Sequence, residues 1–540
     1  ARGPFPAIAS ALLEARRTGA REIALVAALL GALATAVYGT HVAHGGFYND
    51  DWDHSVRHHF GAEGGVVGFV APFTFISFRP VAVLYLPATH ALFGTDPAPH
   101  LAWALAMAVA MSAALFALLR TLGMERLHAG LIAGLLLLFP ASDASRLWAA
   151  AATALPAIAL YLAGTTVAIR GLRATGRRSF VLHGVALVLY LLSVMTYEVA
   201  AGAMLMSVLA YRLAAGWRRA ASRWAADLAV LTPVLLLVTA NTWNAPEPAS
   251  VQAHHAWTIA EQATTILARS ALPFGAARTA PVCGALAAVA LAGAITCWVL
   301  PRADAARAAL RRWLLTAAAS VLAVAAGYLT FIPGDPQVYS PLREGQFNRV
   351  NVLAAIGYVM LVYSLAMVAG LVAFRGRPRW HLASSSVAVL AGVLLAAGYA
   401  QEVRADIAVW DRAAAAQDQV VDTVASLLPD PPHGSVLYTF GHPTSFDGVP
   451  VFAASWDLVG AVQTRWTDPS LRGFPAIPGT TMACGATGVD MRNDNAEYGD
   501  SQAAPYGSAY LIDVAARRIA RVDDAASCAA LVPGFVPAGG

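Results

Sequence analysis

The stretch IALVAALLGALATAVYGTHVAHGGFYNDDWDH, Ile23–His54, decides how the whole chain is read. Its first part, Ile23–Val42, holds no Asp, Glu, Lys or Arg and is as long as the ~20 apolar residues that carry a helix across a hydrocarbon core about 30 Å thick. Arg16, Arg17 and Arg21 precede it, and Asp50, Asp51 and Asp53 follow it closely. A basic entry, an apolar middle and an acidic exit describe a spanning helix whose N-terminal end lies on the cytoplasmic side.

The pattern repeats along the chain. Further apolar runs lie at Leu101–Leu119, Leu127–Phe139, Leu147–Ile169, Val181–Met195, Val199–Tyr211, Leu228–Trp243, Val282–Leu300, Leu314–Ile332, Val350–Phe374 and Leu382–Tyr399. With the first they make about eleven spans, a mostly α, polytopic transmembrane helical bundle. Val81–Phe93, interrupted by Pro87, is too short to cross comfortably and is expected to lie in the interface or to re-enter. Composition agrees: of 540 residues, 58% are hydrophobic and 13% charged. Soluble domains carry about 25% charged residues. A cytosolic globular enzyme, a disordered chain and a disulfide-rich secreted module are therefore excluded.

Arginine placement sets the orientation. The chain has no lysine, so all 36 basic residues are arginine, a usage read as that of a GC-rich genome. With the N-terminus inside, 21 arginines fall in cytoplasmic segments, among them Arg2, Arg302, Arg375, Arg377 and Arg379. Seven fall in outer loops: Arg57, Arg79, Arg146, Arg269, Arg278, Arg343 and Arg349. None falls within a span, which is the positive-inside pattern. The first run is expected to remain as a span, because no clear small-x-small cleavage site follows it. From Gln401 onward the balance reverses, with 8 Arg against 16 Asp plus Glu. We divide the chain into a membrane domain over residues 1–400, its first extracytoplasmic loop at about 43–100, and an acidic extracytoplasmic domain over 401–540.

That second domain is predicted to be small and α/β. An amphipathic helix runs to about Leu428, ended by Pro429, Pro431 and Pro432, and strand-like runs follow at Ser435–Phe440, Val449–Ala454 and Ala509–Val514. Cys484 and Cys528 lie on the side where a disulfide persists and are expected to pair. Cys283 and Cys297 share one span and read as packing residues. Trp456, Trp466, Tyr498 and Tyr506 could form a sugar-stacking surface, but the reading preferred here is core.

Candidate chemistry gathers on the outer side. In Asn49-Asp50-Asp51-Trp52-Asp53-His54 three carboxylates within four residues repel one another and call for a cation or arginine partner near a low-dielectric boundary. One could act as a general base toward a hydroxyl, and Asp50, Asp51 and His54 are candidate ligands for a divalent cation. His54 and His58 share a helical spacing, for which interfacial histidines are the plainer reading. Arg79, before Pro80, suits a lipid phosphate. Glu198, in the turn Thr196-Tyr197-Glu198, sits close to hydrocarbon and needs a partner. Arg343 and Arg349 flank Glu344-Gly345-Gln346-Phe347-Asn348 as a second candidate phosphate or sugar contact. The long loop Asn244–Pro281 is part amphipathic and is a candidate to lie on the membrane.

Taken together, these positions resemble the GT-C glycosyltransferase superfamily, membrane enzymes that use polyprenyl-phosphate sugars. Asp50-Asp51 matches its acidic pair after the first span, Phe78-Arg79-Pro80 its Arg-Pro before the second, and Thr196-Tyr197-Glu198 a later turn in which Tyr197 stands where many members have lysine. The resemblance implies a sugar moved from a polyprenyl-phosphate donor to a cell-envelope glycan, lipid or protein hydroxyl at the outer face, with inversion. It implies Asp50 or Asp51 as base, donor contacts from Arg79, Glu198, Arg343 and Arg349, and a cofactor limited to Mg²⁺ or Mn²⁺. The expected place is the plasma (inner) membrane of a bacterium, with membrane lipid and no nucleic acid as partner. Other classes weighed are a transporter or flippase of lipid-linked glycans, a polymerase or ligase of the same glycans, and a scaffold.

Overall fold

The computed structural model describes residues 5–61, 65–240, 247–275, 278–301, 304–374, 380–493 and 500–535. Arg2, Arg302, Arg375, Arg377, Arg379 and Tyr498, and parts of the Asn244–Pro281 loop, lie outside them. In chain order the helices are α1 (Phe5–His44), α2 (Asp50–Gly61), α3 (Gly65–Val70), α4 (Ala82–Phe93), α5 (Pro97–Thr121), α6 (Arg126–Leu138), α7 (Ala144–Leu147), α8 (Ala154–Arg173) and α9 (Gly176–Thr196). They continue with α10 (Ala201–Ala214), α11 (Trp217–Ala240), α12 (Ala249–Ala271), α13 (Thr279–Val299), α14 (Ala305–Tyr328), α15 (Pro336–Tyr339), α16 (Ala354–Phe374) and α17 (Trp380–Leu427).

Every apolar run read from the sequence is helical over most of its described residues, but the count of full spans changes. Among the described residues nine helices are long and apolar enough to cross a membrane. The other two expected spans, α6 with 13 residues and α10 with 14, are each roughly 20 Å long at 1.5 Å per residue. After α6 the chain enters an irregular stretch, Phe139 to Trp148, that is buried throughout. Non-helical backbone needs such shelter within a bilayer, so the protein, not lipid, surrounds the end of this short helix. Large apolar side chains such as Leu29, Val188, Leu236, Trp298 and Leu390 point outward from the long helices, as a lipid-facing surface requires.

Contacts between distant loops reproduce the two-sided arrangement. Segments assigned to one side by arginine placement touch one another: Glu22 pairs with Arg120 and Arg126, Arg173 donates to the Thr121 carbonyl, Arg219 to Leu172 and Arg312 to Gly123. Segments assigned to the other side meet likewise. Val81 N–H donates to Met195 O, Ala144 N–H to Asn348, and Glu247 N–H to Pro333 O. The short helix α4, carrying a buried Pro87, packs among the segments of this second side.

Helix α17 runs without a break through residue 400. At about 70 Å it is far longer than a bilayer core and carries the chain into the C-terminal domain. There β1 (Val436–Phe440) pairs in parallel with β4 (Arg472–Pro475) and β8 (Ala509–Asp513), and β8 pairs antiparallel with β9 (Arg518–Val522). A hairpin of β2 (Ser445–Phe446) and β3 (Val449–Pro450) and helix α18 (Ser455–Trp466) lie between β1 and β4. A second sheet joins β5 (Thr480–Cys484), β6 (Gly488–Asn493) and β7 (Asp500–Pro505), and α19 (Ala525–Phe535) closes the chain. Cys484 on β5 is bonded to Cys528 on α19. The α/β character matches expectation, while the run Val449–Ala454 is strand only over its first two residues. Of the tail aromatics, Trp466 and Tyr506 pack on apolar cores. Leu437, Val449, Val451, Phe452 and Leu458 of this domain join the apolar core of the helical bundle.

Candidate active site

The acidic cluster is not a loop but the first turn of α2, which begins at Asp50. The positive helix end favours carboxylates there. Asn49, just before it, is buried and holds φ +45°, a left-handed backbone that Asn tolerates better than most residues. The two central aspartates have different surroundings. Asp51 is buried, and its oxygens accept N–H groups from Ala150 (2.7 Å) and Tyr48 (3.2 Å). It ties the start of α2 to the segment before α8. Burial pushes its carboxyl up to about 8 although these N–H donors oppose the shift. Asp50 is only partly buried, and the Trp456 indole N–H is within hydrogen-bonding reach of its carboxylate. Burial raises its pKa too, while the charges of His54 and Arg349 pull it back.

Arg79 and Glu198 meet. The Arg79 Nη2 donates to Glu198 Oε1 at 2.5 Å and Nε to Oε2 at 2.8 Å, a two-point pair. The guanidinium also lies 4.2 Å from the Tyr197 ring centroid and 4.9 Å from that of Phe78. Burial works against the Arg79 charge, and the Glu198 carboxylate outweighs it, so Arg79 is held above its ordinary value. The partner that Glu198 required is this arginine. Tyr197, in the place of a lysine, supplies a ring face to the neighbouring cation.

The loop before α16 separates its two arginines. Arg343 is committed to Glu402 and Asp406 on α17, at 2.9 Å each. The buried Asp143 stands beside them, bound by Asn348 Nδ2 at 2.7 Å. A substrate would have to displace these carboxylates to reach Arg343. Arg349 forms no ion pair with a carboxylate within 4 Å among the described residues. It lies over the Trp148 and Phe347 rings, 5.3 Å from each centroid, with a bond to the Gln346 carbonyl. Of the three arginines singled out, Arg349 is the one whose charge acts on Asp50.

His54 packs into a cluster with His90, Phe73 and Phe75. His58 and His100 also approach His90. Burial depresses His54, against the pull of the neighbouring aspartates, and holds His90 at about 2. Among the described residues no three His, Cys, Asp or Glu side chains converge as metal ligands do. The set Asp50, Asp51 and His54 does not fit a divalent cation here. Neighbouring helix residues diverge by about 100°, Asp51 is engaged by backbone N–H groups, and His54 packs against aromatic rings.

Three participants escaped the sequence reading. Asn49 receives the Trp456 indole N–H on Oδ1 (2.7 Å) and donates from Nδ2 to Gln346 Oε1 (3.1 Å). Trp456, expected in the core, faces the start of the aspartate helix. Arg146, counted as an outer-loop charge, is buried and donates to the carbonyls of Leu136 and Phe139.

No family model matches the chain, and no curated protein sequence matches it. Among solved structures it is similar to the crystal structure of ArnT from Cupriavidus metallidurans in the apo state, at 13% identity and a TM-score of 0.35, over 81% of this chain and 84% of that one.

Proposed function

We propose that this chain is an integral membrane glycosyltransferase of the GT-C type, which moves a sugar from a polyprenyl-phosphate donor to an acceptor hydroxyl at the extracytoplasmic face. One observation carries the reading. A partly exposed carboxylate, Asp50, is set at the start of α2 under the charge of Arg349, which among the described residues forms no ion pair with a carboxylate, while Arg79 and Arg343 are already paired. A carboxylate base under the influence of a cation is what displacement of a phosphate leaving group by a hydroxyl needs.

The acceptor oxygen attacks the anomeric carbon, the bond from that carbon to the phosphate oxygen breaks, and the acceptor proton passes to Asp50. Carboxylates with pKa near 4 are far too weak to ionise an alcohol beforehand, so proton transfer accompanies bond formation, and positioning supplies much of the effect. A raised Asp50 pKa makes it a somewhat better acceptor. Arg349 faces the charge that grows on the leaving phosphate. Direct displacement inverts the anomeric carbon. Asp51 and the Arg79–Glu198 pair act through position, holding α2 and the turn after α9. No step is assigned to a metal ion, since the candidate ligands do not converge.

The test is turnover. Purified protein is incubated with a panel of radiolabelled polyprenyl-phosphate sugars and membrane-derived acceptors. The expected result is loss of label from one donor, abolished by Asp50→Asn; an Asp50→Asn protein with full transfer rate refutes the assignment.

A further inference from the structure

Helix α18 of the C-terminal domain lies directly on α2. A Cβ at Gly460 would stand 2.5 Å from the Trp52 carbonyl oxygen, so the two backbones are in contact there. The Trp52 indole N–H donates to Gln417 on α17, whose own amide donates to the Val451 carbonyl. One turn before Gly460, Trp456 donates to Asn49 Oδ1 at 2.7 Å. Asn49 in turn holds Gln346, and Gln346 N–H donates to the Gly448 carbonyl in the turn between β2 and β3. Gly345 and Gly448 approach so closely that a Cβ on Gly345 would lie 2.6 Å from the Gly448 carbonyl. Three segments far apart in sequence, 48–52, 345–349 and 448–460, therefore close into one ring of contacts. Its members include the residue before Asp50 and the loop of Arg349.

The backbone at Asn49 needs that ring. A left-handed φ at a non-glycine residue is uncommon and is kept only where surroundings over-determine it. Both ends of the Asn49 side-chain amide are engaged, Oδ1 by Trp456 and Nδ2 by Gln346. This dihedral sets the direction in which α2 starts, and Asp50 is the next residue.

We propose that the C-terminal domain is a working part of the active site and that Trp456 is a positioning residue, which locks Asn49, reaches toward the Asp50 carboxylate and so aims it. The inference rests on the transferase reading above. Without the indole N–H the Asn49 amide turns, the first turn of α2 loosens, and Asp50 spends less time in line with the acceptor. Misplacement of a reacting group by about 1 Å can cost 10²-fold in rate. The catalytic domain expressed without residues beyond α17 should be a poor enzyme for the same reason.

The test uses the full chain with Trp456→Phe, and with a benzothiophene analogue of tryptophan at position 456, which keeps the bicyclic shape and lacks only the N–H. Both are read by kcat, by KM for the lipid-linked donor, and by hydrogen exchange of the amides of residues 48–53. The expected result is kcat lower by about tenfold to a hundredfold, donor KM unchanged, and faster exchange in residues 48–53, with the analogue resembling Phe. Full kcat in both variants overturns the proposal. If the wild type turns over no donor, the transferase reading is what fails; exchange at residues 48–53 then decides the positioning role alone, unchanged exchange overturning it and faster exchange sustaining it.

Discussion

Arg79 and Glu198, 119 positions apart, form a two-point ion pair that joins the segment before α4 to the turn after α9. Val81 N–H reinforces the joint by donating to Met195 O. Charge-assisted bonds of this kind are worth roughly 1.5–3 kcal/mol each way of counting, and removing one partner leaves the other charge half-buried and uncompensated. Arg79→Ala and Glu198→Gln should each lower stability and transfer rate, while the double variant should be no worse than the more damaging single one. Arg79→Lys should not rescue, because an ammonium cannot match both carboxylate oxygens. Melting midpoints in detergent and transfer rates across the double-mutant cycle check this; additive losses would show that the two residues act separately.

Asp50 and Asp51 should separate in their effects. Asp50→Asn removes the proton acceptor and should reduce kcat by about 10²–10⁴-fold with little change in melting. Asp51→Asn should mainly destabilise, by roughly 1–3 kcal/mol, since an amide cannot accept N–H groups on both terminal atoms. The pH dependence differs as well. Asp51 is raised to about 8 in the fold, against about 3.9 unfolded. The folded state thus holds this proton more tightly, and the associated stability is present at low pH and lost as pH rises through about 8. Melting of the wild type should fall across that window, and Asp51→Asn should flatten the fall. Equal slopes in both proteins would contradict the assignment.

Arg349 should set the acid limb of the rate. Asp50 must be ionised to accept a proton, and burial raises its pKa while Arg349 lowers it. Transfer should therefore fail on acidification at a pH above the ordinary carboxylate range. Arg349→Gln should move that limb to higher pH and cost about 10²–10³-fold at the plateau. Arg349→Lys should leave the limb near its wild-type place, since the charge remains. A pH–rate profile for the three proteins decides; a limb that moves equally in both variants would detach Arg349 from Asp50.

Much of this arrangement was legible because it is local or periodic. Most of the spans, which turns share a side, and the acidic end of the first span follow from runs of apolar residues and the arginines between them. Helices α6 and α10 were read as full spans because apolarity does not show where a helix stops; α6 ends where a buried irregular stretch begins. Strands β5 and β7 were missed because TTMAC and DSQAAP lack an alternating apolar pattern and are held by pairing with β6. Within the candidate site the charged residues stand out in the sequence and their partners do not. Nothing near Arg343 in sequence announces Glu402 and Asp406 as its partners, and Trp456 lies 407 positions from the residue it holds.

Chelation tests the geometry of the aspartates. With Asp51 engaged by Ala150 and Tyr48 N–H groups and His54 turned among aromatic rings, a divalent ion would find Asp50 as its one carboxylate from this set. Transfer by protein treated with EDTA should stay within about twofold of the untreated rate, since a single carboxylate makes a poor site for Mg²⁺ or Mn²⁺. A loss beyond tenfold that added Mg²⁺ or Mn²⁺ restores would mean that Asp51 leaves its N–H donors to join a metal site when the donor binds.

The last prediction concerns the contact of α18 with α2. A Cβ at Gly460 would sit 2.5 Å from Trp52 O and 2.6 Å from its carbon, both backbone atoms that cannot swing aside. Gly460→Ala should therefore push the helices apart despite alanine's better helix propensity, at a cost of about 1–3 kcal/mol. Gly284→Ala, where a Cβ meets nothing within 4 Å, is the control and should be neutral or stabilising. If the C-terminal domain is seated through this contact, Gly460→Ala should speed proteolysis in residues 428–435, between α17 and β1, and lower the transfer rate together. Gly284→Ala should do neither. Unchanged proteolysis and rate in Gly460→Ala would mean that the two helices can separate by the required distance without disturbing Asn49, and the close approach would then have no bearing on Asp50.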